Sequence, residues 1–127
     1  MYKLIFDVNG TLTPLNQPID SEFRDYFLNI IKTYDTILLS NETEDIIKYQ
    51  LGDDILSHIN LILFGDKIQL MNHISISNDE IYFFADSIYP GGNDFNIGIT
   101  LGHYINTIYR VQNWKETYGI LYELINI

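Results

Sequence analysis

Asp7 is the residue whose setting points first to chemistry. It closes the run Tyr2-Lys3-Leu4-Ile5-Phe6, whose β-branched and aromatic character fits a strand buried on both faces. A carboxylate at the carboxyl end of such a strand stands where open α/β sheets bind their ligands. Behind it Asn9-Gly10 opens a loop, with Thr11 and Thr13 close by. Glycine lets the backbone turn tightly, and hydroxyls with loop N–H groups can hold an anion. Two later apolar runs also end in polar side chains, at Ser40-Asn41 and at Asp86.

Helices are needed to return the chain between these strand ends. A helix is predicted from Asp20 to about residue 32. Asp20 is its N-cap, Phe23 packs back on Ile19, and Phe23, Phe27, Ile30 and Ile31 form its apolar stripe. A strand follows over 36–39, then a helix over 42–51 that starts beside Ser40 and stops at Gly52. One more turn is expected over 53–58, a strand over 59–64 closed by Gly65, and a helix over 67–73 capped by Asp66. A strand over 80–85 leads through a glycine-rich loop to a helical turn over 94–101. A strand over 104–111 precedes a last helix with a capping-box start at 113–116, running to about residue 125. Strands alternating with helices imply one α/β domain spanning 1–127, with a three-layer, Rossmann-like, doubly wound sheet of about five parallel strands. Right-handed crossovers then line up Asp7, Ser40, Gly65 and Asp86 along one edge.

The stretch Asp7-Val8-Asn9-Gly10-Thr11-Leu12-Thr13 resembles the first motif of the haloacid dehalogenase superfamily, Asp-x-Asp-Gly-Thr-Leu/Val-Thr. Phe83 through Asp94, ending Pro90-Gly91-Gly92-Asn93-Asp94, is similar to the fourth motif of eukaryotic phosphomannomutases, a branch of that superfamily. The resemblance implies that Asp7 is a nucleophile that accepts a phosphoryl group. It implies phosphate binding by Gly10, Thr11, Ser40, Asn41 and a third-motif lysine, for which Lys67, nineteen residues before Asp86, is better placed than Lys32 or Lys48. It further implies Mg²⁺ held by Asp7, the backbone carbonyl of Asn9, Asp86, Asn93 and Asp94, an oxygen set of the kind this ion takes.

The chain departs from that pattern in four ways. Asn9 replaces the second Asp, the acid that protonates the leaving group and then activates water; an amide exchanges no proton, and losing such help costs about 10²–10⁴-fold. Asn9 is open to three readings: native in a slow enzyme or phosphate binder, substituted to trap a bound state, or partly deamidated at Asn9-Gly10. Ala85 and Ser87 replace a family Gly and a phosphomannomutase Lys. Phe64 and Lys67 are nearly adjacent and the 8–19 loop is short, so neither usual cap position holds a domain. A capless core leaves the site open for a phosphorylated macromolecule, for a small phosphate closed in by a partner or a second subunit, or for no turnover.

Composition narrows the classes further. A formal charge of −10 with seven scattered Lys and Arg residues argues against a nucleic-acid binder. The acids Glu22, Asp25, Glu42, Glu44 and Asp45 read as solvated helix surface. No Cys is present, which removes disulfides and thiolate metal sites and fits a cytoplasmic chain. No signal-like or membrane-length apolar run occurs. His58, His73 and His103 share no ligand spacing, and Trp114 with most of the ten Tyr and seven Phe residues reads as packing. The expected function is a Mg²⁺-dependent phosphohydrolase acting through an aspartyl phosphate and impaired at Asn9. The alternatives are a degenerate phosphate- or partner-binding relative, and a response-regulator-like receiver, whose phosphoacceptor would end the third strand, where Phe64-Gly65 stands.

Overall fold

The computed structural model of the chain describes residues 2–64, 80–86, 105 and 107–125. Within them lie β1 (Tyr2–Asp7), α1 (Ser21–Thr33), β2 (Asp35–Ser40), α2 (Glu44–Leu51), α3 (Asp53–Leu56), β3 (Leu61–Phe64), β4 (Glu80–Ala85), β5 (Thr107–Arg110) and α4 (Trp114–Ile125). The five strands form one parallel sheet in the order β3-β2-β1-β4-β5. This is the Rossmann-like α/β arrangement, in which the strand order reverses beside β1 and ligands bind outside the carboxyl ends at the reversal.

Period-two alternation sorts the strand side chains onto two buried faces. Leu4, Phe6, Leu38, Tyr82 and Phe84 face one core, which they share with Phe23 and Phe27 of α1, Ile47 and Leu51 of α2, Ile55 of α3 and Leu121 of α4. Ile5, Ile37, Leu39, Ile81 and Phe83 fill the other. Stacked rings bind α4 to α1, with Phe23 5.9 Å from Trp114 and 5.1 Å from Tyr118.

The helix starts follow their caps. Asp20 accepts from the N–H groups of Glu22 and Phe23 at 3.1 and 3.2 Å. Asn113 accepts from the Glu116 N–H, while the Glu116 carboxylate accepts from the Gln112 N–H, each at 3.1 Å; the expected capping box forms, displaced one residue backward on its second arm. Three boundaries differ from expectation. Helix α2 starts at Glu44, after an N-cap at Thr43, because the Ser40 hydroxyl accepts from the Glu42 N–H at 2.9 Å and holds 40–42 in a turn outside the helix. Strand β3 starts at Leu61 because Ile59 is still bonded back to the Leu56 carbonyl. Strand β5 starts at Thr107, although the Val111 N–H extends its pairing to the Ala85 carbonyl at 2.9 Å. The expected helix over 67–73 and turn over 94–101 lie outside the described residues, as do Gly65, Lys67, Asn93 and Asp94. Among the described residues no helix is long and apolar enough to cross a membrane.

Candidate functional site

Strand register sets the site. Asp7 pairs with Leu39, so Ser40 lies one residue further along β2. Phe6 pairs with Phe84, so Asp86 lies just past the end of β4. Asp7, Ser40 and Asp86 therefore meet at the carboxyl edge, where with Asn9, Leu15, Asn41 and Glu42 they line a cleft of about 160 Å³.

The loop after β1 is a built turn. The N–H groups of Thr11 and Leu12 return to the Val8 carbonyl at 3.2 and 2.9 Å, and that of Gly10 donates to the Thr13 carbonyl at 3.0 Å. From α4, the Thr117 hydroxyl donates to the Thr11 carbonyl at 2.7 Å. Thr11 is fully buried, and its hydroxyl approaches Asp7 Oδ2 at 3.5 Å, a long contact that orients the carboxylate. Gly10 has φ +84°, a conformation that side chains resist, and a Cβ there would collide with the Asp86 carboxylate. Glycine at this position is what lets the loop from β1 approach the end of β4.

Asn9 is held on two sides. Its Oδ1 accepts from the Asn16 backbone N–H at 2.8 Å and from Gln50 Nε2 at 3.1 Å, while its Nδ2 donates to Asn16 Oδ1 at 3.2 Å. Gln50, on α2 and 1 % exposed, also donates to the Thr13 hydroxyl at 3.2 Å. Its Oε1 is buried and accepts no hydrogen bond among the described residues, an arrangement that costs about 1–3 kcal/mol. Asn16 holds its end with φ +60°, the left-handed conformation that Asn tolerates better than most residues.

Three carboxylates, from Asp7, Glu42 and Asp86, line the cleft together with the Ser40 hydroxyl. Such a lining repels a bare phosphate and attracts a hard cation. Two carboxylates on adjacent strand ends suit Mg²⁺, which commonly takes one or two protein carboxylates with waters and substrate phosphate oxygens. Among the described residues no group of three or more His, Asp or Glu side chains converges closely enough to hold a metal ion by itself.

Of the residues singled out from sequence, Asp7, Asn9, Ser40, Asn41 and Asp86 share the cleft. Gly10 and Thr11 shape it from behind. Lys67, Asn93 and Asp94 lie outside the described residues. Glu42, read as solvated helix surface, is half-buried in the cleft lining, outside the helix; the Ser40 turn places it there. Sequence reasoning passed over Gln50, Asn16, Leu15 and Thr117. Gln50 carried a readable signal, since it continues the buried stripe of Ile47 and Leu51, where an amphipathic helix places apolar residues. No family model and no curated protein matches the chain.

Proposed function

We propose that this protein is a Mg²⁺-dependent phosphohydrolase of the haloacid dehalogenase type, acting through Asp7 and slowed by Asn9. The observation that carries the reading is the sharing of one cleft by Asp7, Ser40 and Asp86, in a sheet whose order reverses beside β1. In this reading the Asp7 carboxylate attacks phosphorus, the bond to the leaving oxygen breaks, and water then hydrolyses the aspartyl phosphate. Ser40, whose oxygen is already engaged by the Glu42 N–H, still has its own proton to donate to a phosphate oxygen. Asp7 and Asp86 would hold Mg²⁺, which when bound would neutralise charge between anion and carboxylates, and Lys67 is the proposed second cation. Asn9 can neither protonate the leaving oxygen nor take a proton from water, so the substrates that fare best are those whose leaving group departs as a stable anion. A phosphorylated small molecule or macromolecule fits the open cleft, and a second copy of the chain is a candidate cover for it. A cytoplasmic setting accords with the lack of Cys.

The test is hydrolysis of an aryl phosphate with and without Mg²⁺ by the native chain and its Asn9→Asp variant, after mass analysis at Asn9. Restoring the acid should raise turnover by about 10²–10⁴-fold. Silence from both, with no Mg²⁺ binding, would remove the site assignment.

The commitment of the Asn9 carboxamide to Asn16 and Gln50 favours a second reading, a phosphate- or partner-binding protein that does not turn over; Mg²⁺ and phosphate binding without activity in Asn9→Asp would select it. The strand order argues against a receiver, because that fold places its third strand centrally, in the order 2-1-3-4-5, whereas β3 is an edge strand here.

A further inference from the structure

Gln50 lies 41 residues from Asn9 in sequence and is buried on α2. The orientation of its amide follows from a single group that cannot be turned over. The backbone N–H of Asn16 can only donate, so the Asn9 atom 2.8 Å from it is the oxygen. The Gln50 atom 3.1 Å from that same oxygen must then be the nitrogen. The Thr13 hydroxyl, 3.2 Å from that nitrogen, is left to accept, and Gln50 Oε1 accepts nothing among the described residues. Gln50 is thus held for its N–H donors, with its acceptor sacrificed.

We propose that Gln50 is a positioning residue for position 9 and that the lock it closes keeps Asn9 an amide. An Asn-Gly pair loses its amide when the glycine nitrogen bonds to the Asn Cγ. The Cγ–Nδ2 bond then breaks, ammonia leaves carrying the glycine proton, and water opens the resulting ring to Asp or isoaspartate. Here the Gly10 N–H is bonded to the Thr13 carbonyl, and both ends of the Asn9 carboxamide are held, so Cγ cannot swing onto the Gly10 nitrogen. The lock would nevertheless receive an Asp. The donors from Asn16 and Gln50 serve a carboxylate oxygen as well as a carboxamide one, and only the exposed Asn16 side chain has to turn over to offer its NH₂. Its effect on turnover rests on the phosphohydrolase reading; the lock itself does not.

The test compares native chain, Gln50→Met and Gln50→Glu, incubated under one condition, with peptide mass mapping at Asn9-Gly10 and at exposed Asn29 as reference. Gln50→Met removes the donor at similar length, and Gln50→Glu removes it at neutral pH with the shape kept. Both variants should convert Asn9 several-fold faster, with Asn29 unchanged. Equal rates at Asn9 in the native chain and in a folded variant would overturn the proposal. If both variants prove unfolded by circular dichroism, hydrogen exchange in the native chain decides: slow exchange of the Gln50 side-chain amide and the Asn16 N–H supports the lock, and fast exchange of either refutes it. In the Asn9→Asp background, adding Gln50→Met should lower kcat with little change in KM, and an unchanged kcat would count against positioning. An inactive Asn9→Asp protein would sink the enzyme reading while the mass result still judges the lock.

Discussion

Gly10 shows how much one residue carries at this site. Its positive φ and its approach to the Asp86 carboxylate are separate demands that a single methyl group violates together. Gly10→Ala should therefore cost about 1–3 kcal/mol of backbone strain, read as a lower urea midpoint, and should also weaken the proposed Mg²⁺ binding by pushing Asp86 out of place. Native-like stability and Mg²⁺ affinity in that variant would contradict the account. Asp7, Ser40 and Asp86 were legible in the sequence because each follows an apolar run whose end is visible from local pattern. The Asn9 lock was not, since the donors that converge on Oδ1 come from residues 7 and 41 positions away, and hydrogen bonds at such separations leave no periodic trace. Glu42 was misread for the related reason that an expected helix start hid a side-chain turn.

At the scale of elements, α1 and α4 act as one aromatic slab behind the first loop. Phe23 is fully buried and stacks on both Trp114 and Tyr118, while Thr117 of the same helix holds the Thr11 carbonyl. Phe23→Ala should destabilise the fold by about 3–5 kcal/mol. Because Trp114 is the single tryptophan, its emission should shift to longer wavelength in the folded variant. An unchanged emission maximum would mean that the stack is not formed. The existence and type of the described elements were readable from 3.6- and 2-residue periodicity, but the starts of α2, β3 and β5 were not. The starts of α2 and β3 are fixed by single hydrogen bonds, from the Glu42 N–H to the Ser40 hydroxyl and from the Ile59 N–H to the Leu56 carbonyl, which compete with the pattern locally and win.

Across the whole molecule the two ends of the sheet are chemically unlike. The carboxyl edge carries Asp7, Ser40 and Asp86. The amino edge carries the Lys3–Asp35 ion pair at 3.3 Å and a cluster of tyrosines in which Tyr2 lies 5.8 Å from Tyr34 and 5.2 Å from Tyr82. There the Tyr82 hydroxyl donates to Glu80 at 2.6 Å. This hydrogen bond, with burial and the Glu80 charge, pushes the Tyr82 phenol from 10.0 up to about 12. The folded state holds that proton more tightly than the unfolded chain does, so the stabilisation is whole below pH 10 and is lost as pH rises through about 12. Denaturant midpoints should fall across this window in the native chain and fall less in Tyr82→Phe. Parallel slopes would assign the alkaline loss elsewhere.

The strand order also has a consequence in time. Strand β1 is made first, yet its neighbour β4 begins at Glu80, so Asp7 and Asp86 meet only by closing a loop of 79 residues. Non-local parallel pairing of this kind slows folding, because closure entropy is spent before the contact forms. While the chain is being synthesised, β1, β2 and β3 can pair from the moment Phe64 emerges, leaving one edge of β1 bare and the cleft without Asp86 until β4 and the residue after it follow. Any chemistry at Asp7 is therefore a late-folding property, and that bare central edge is where a stalled or truncated chain would recruit the wrong strand.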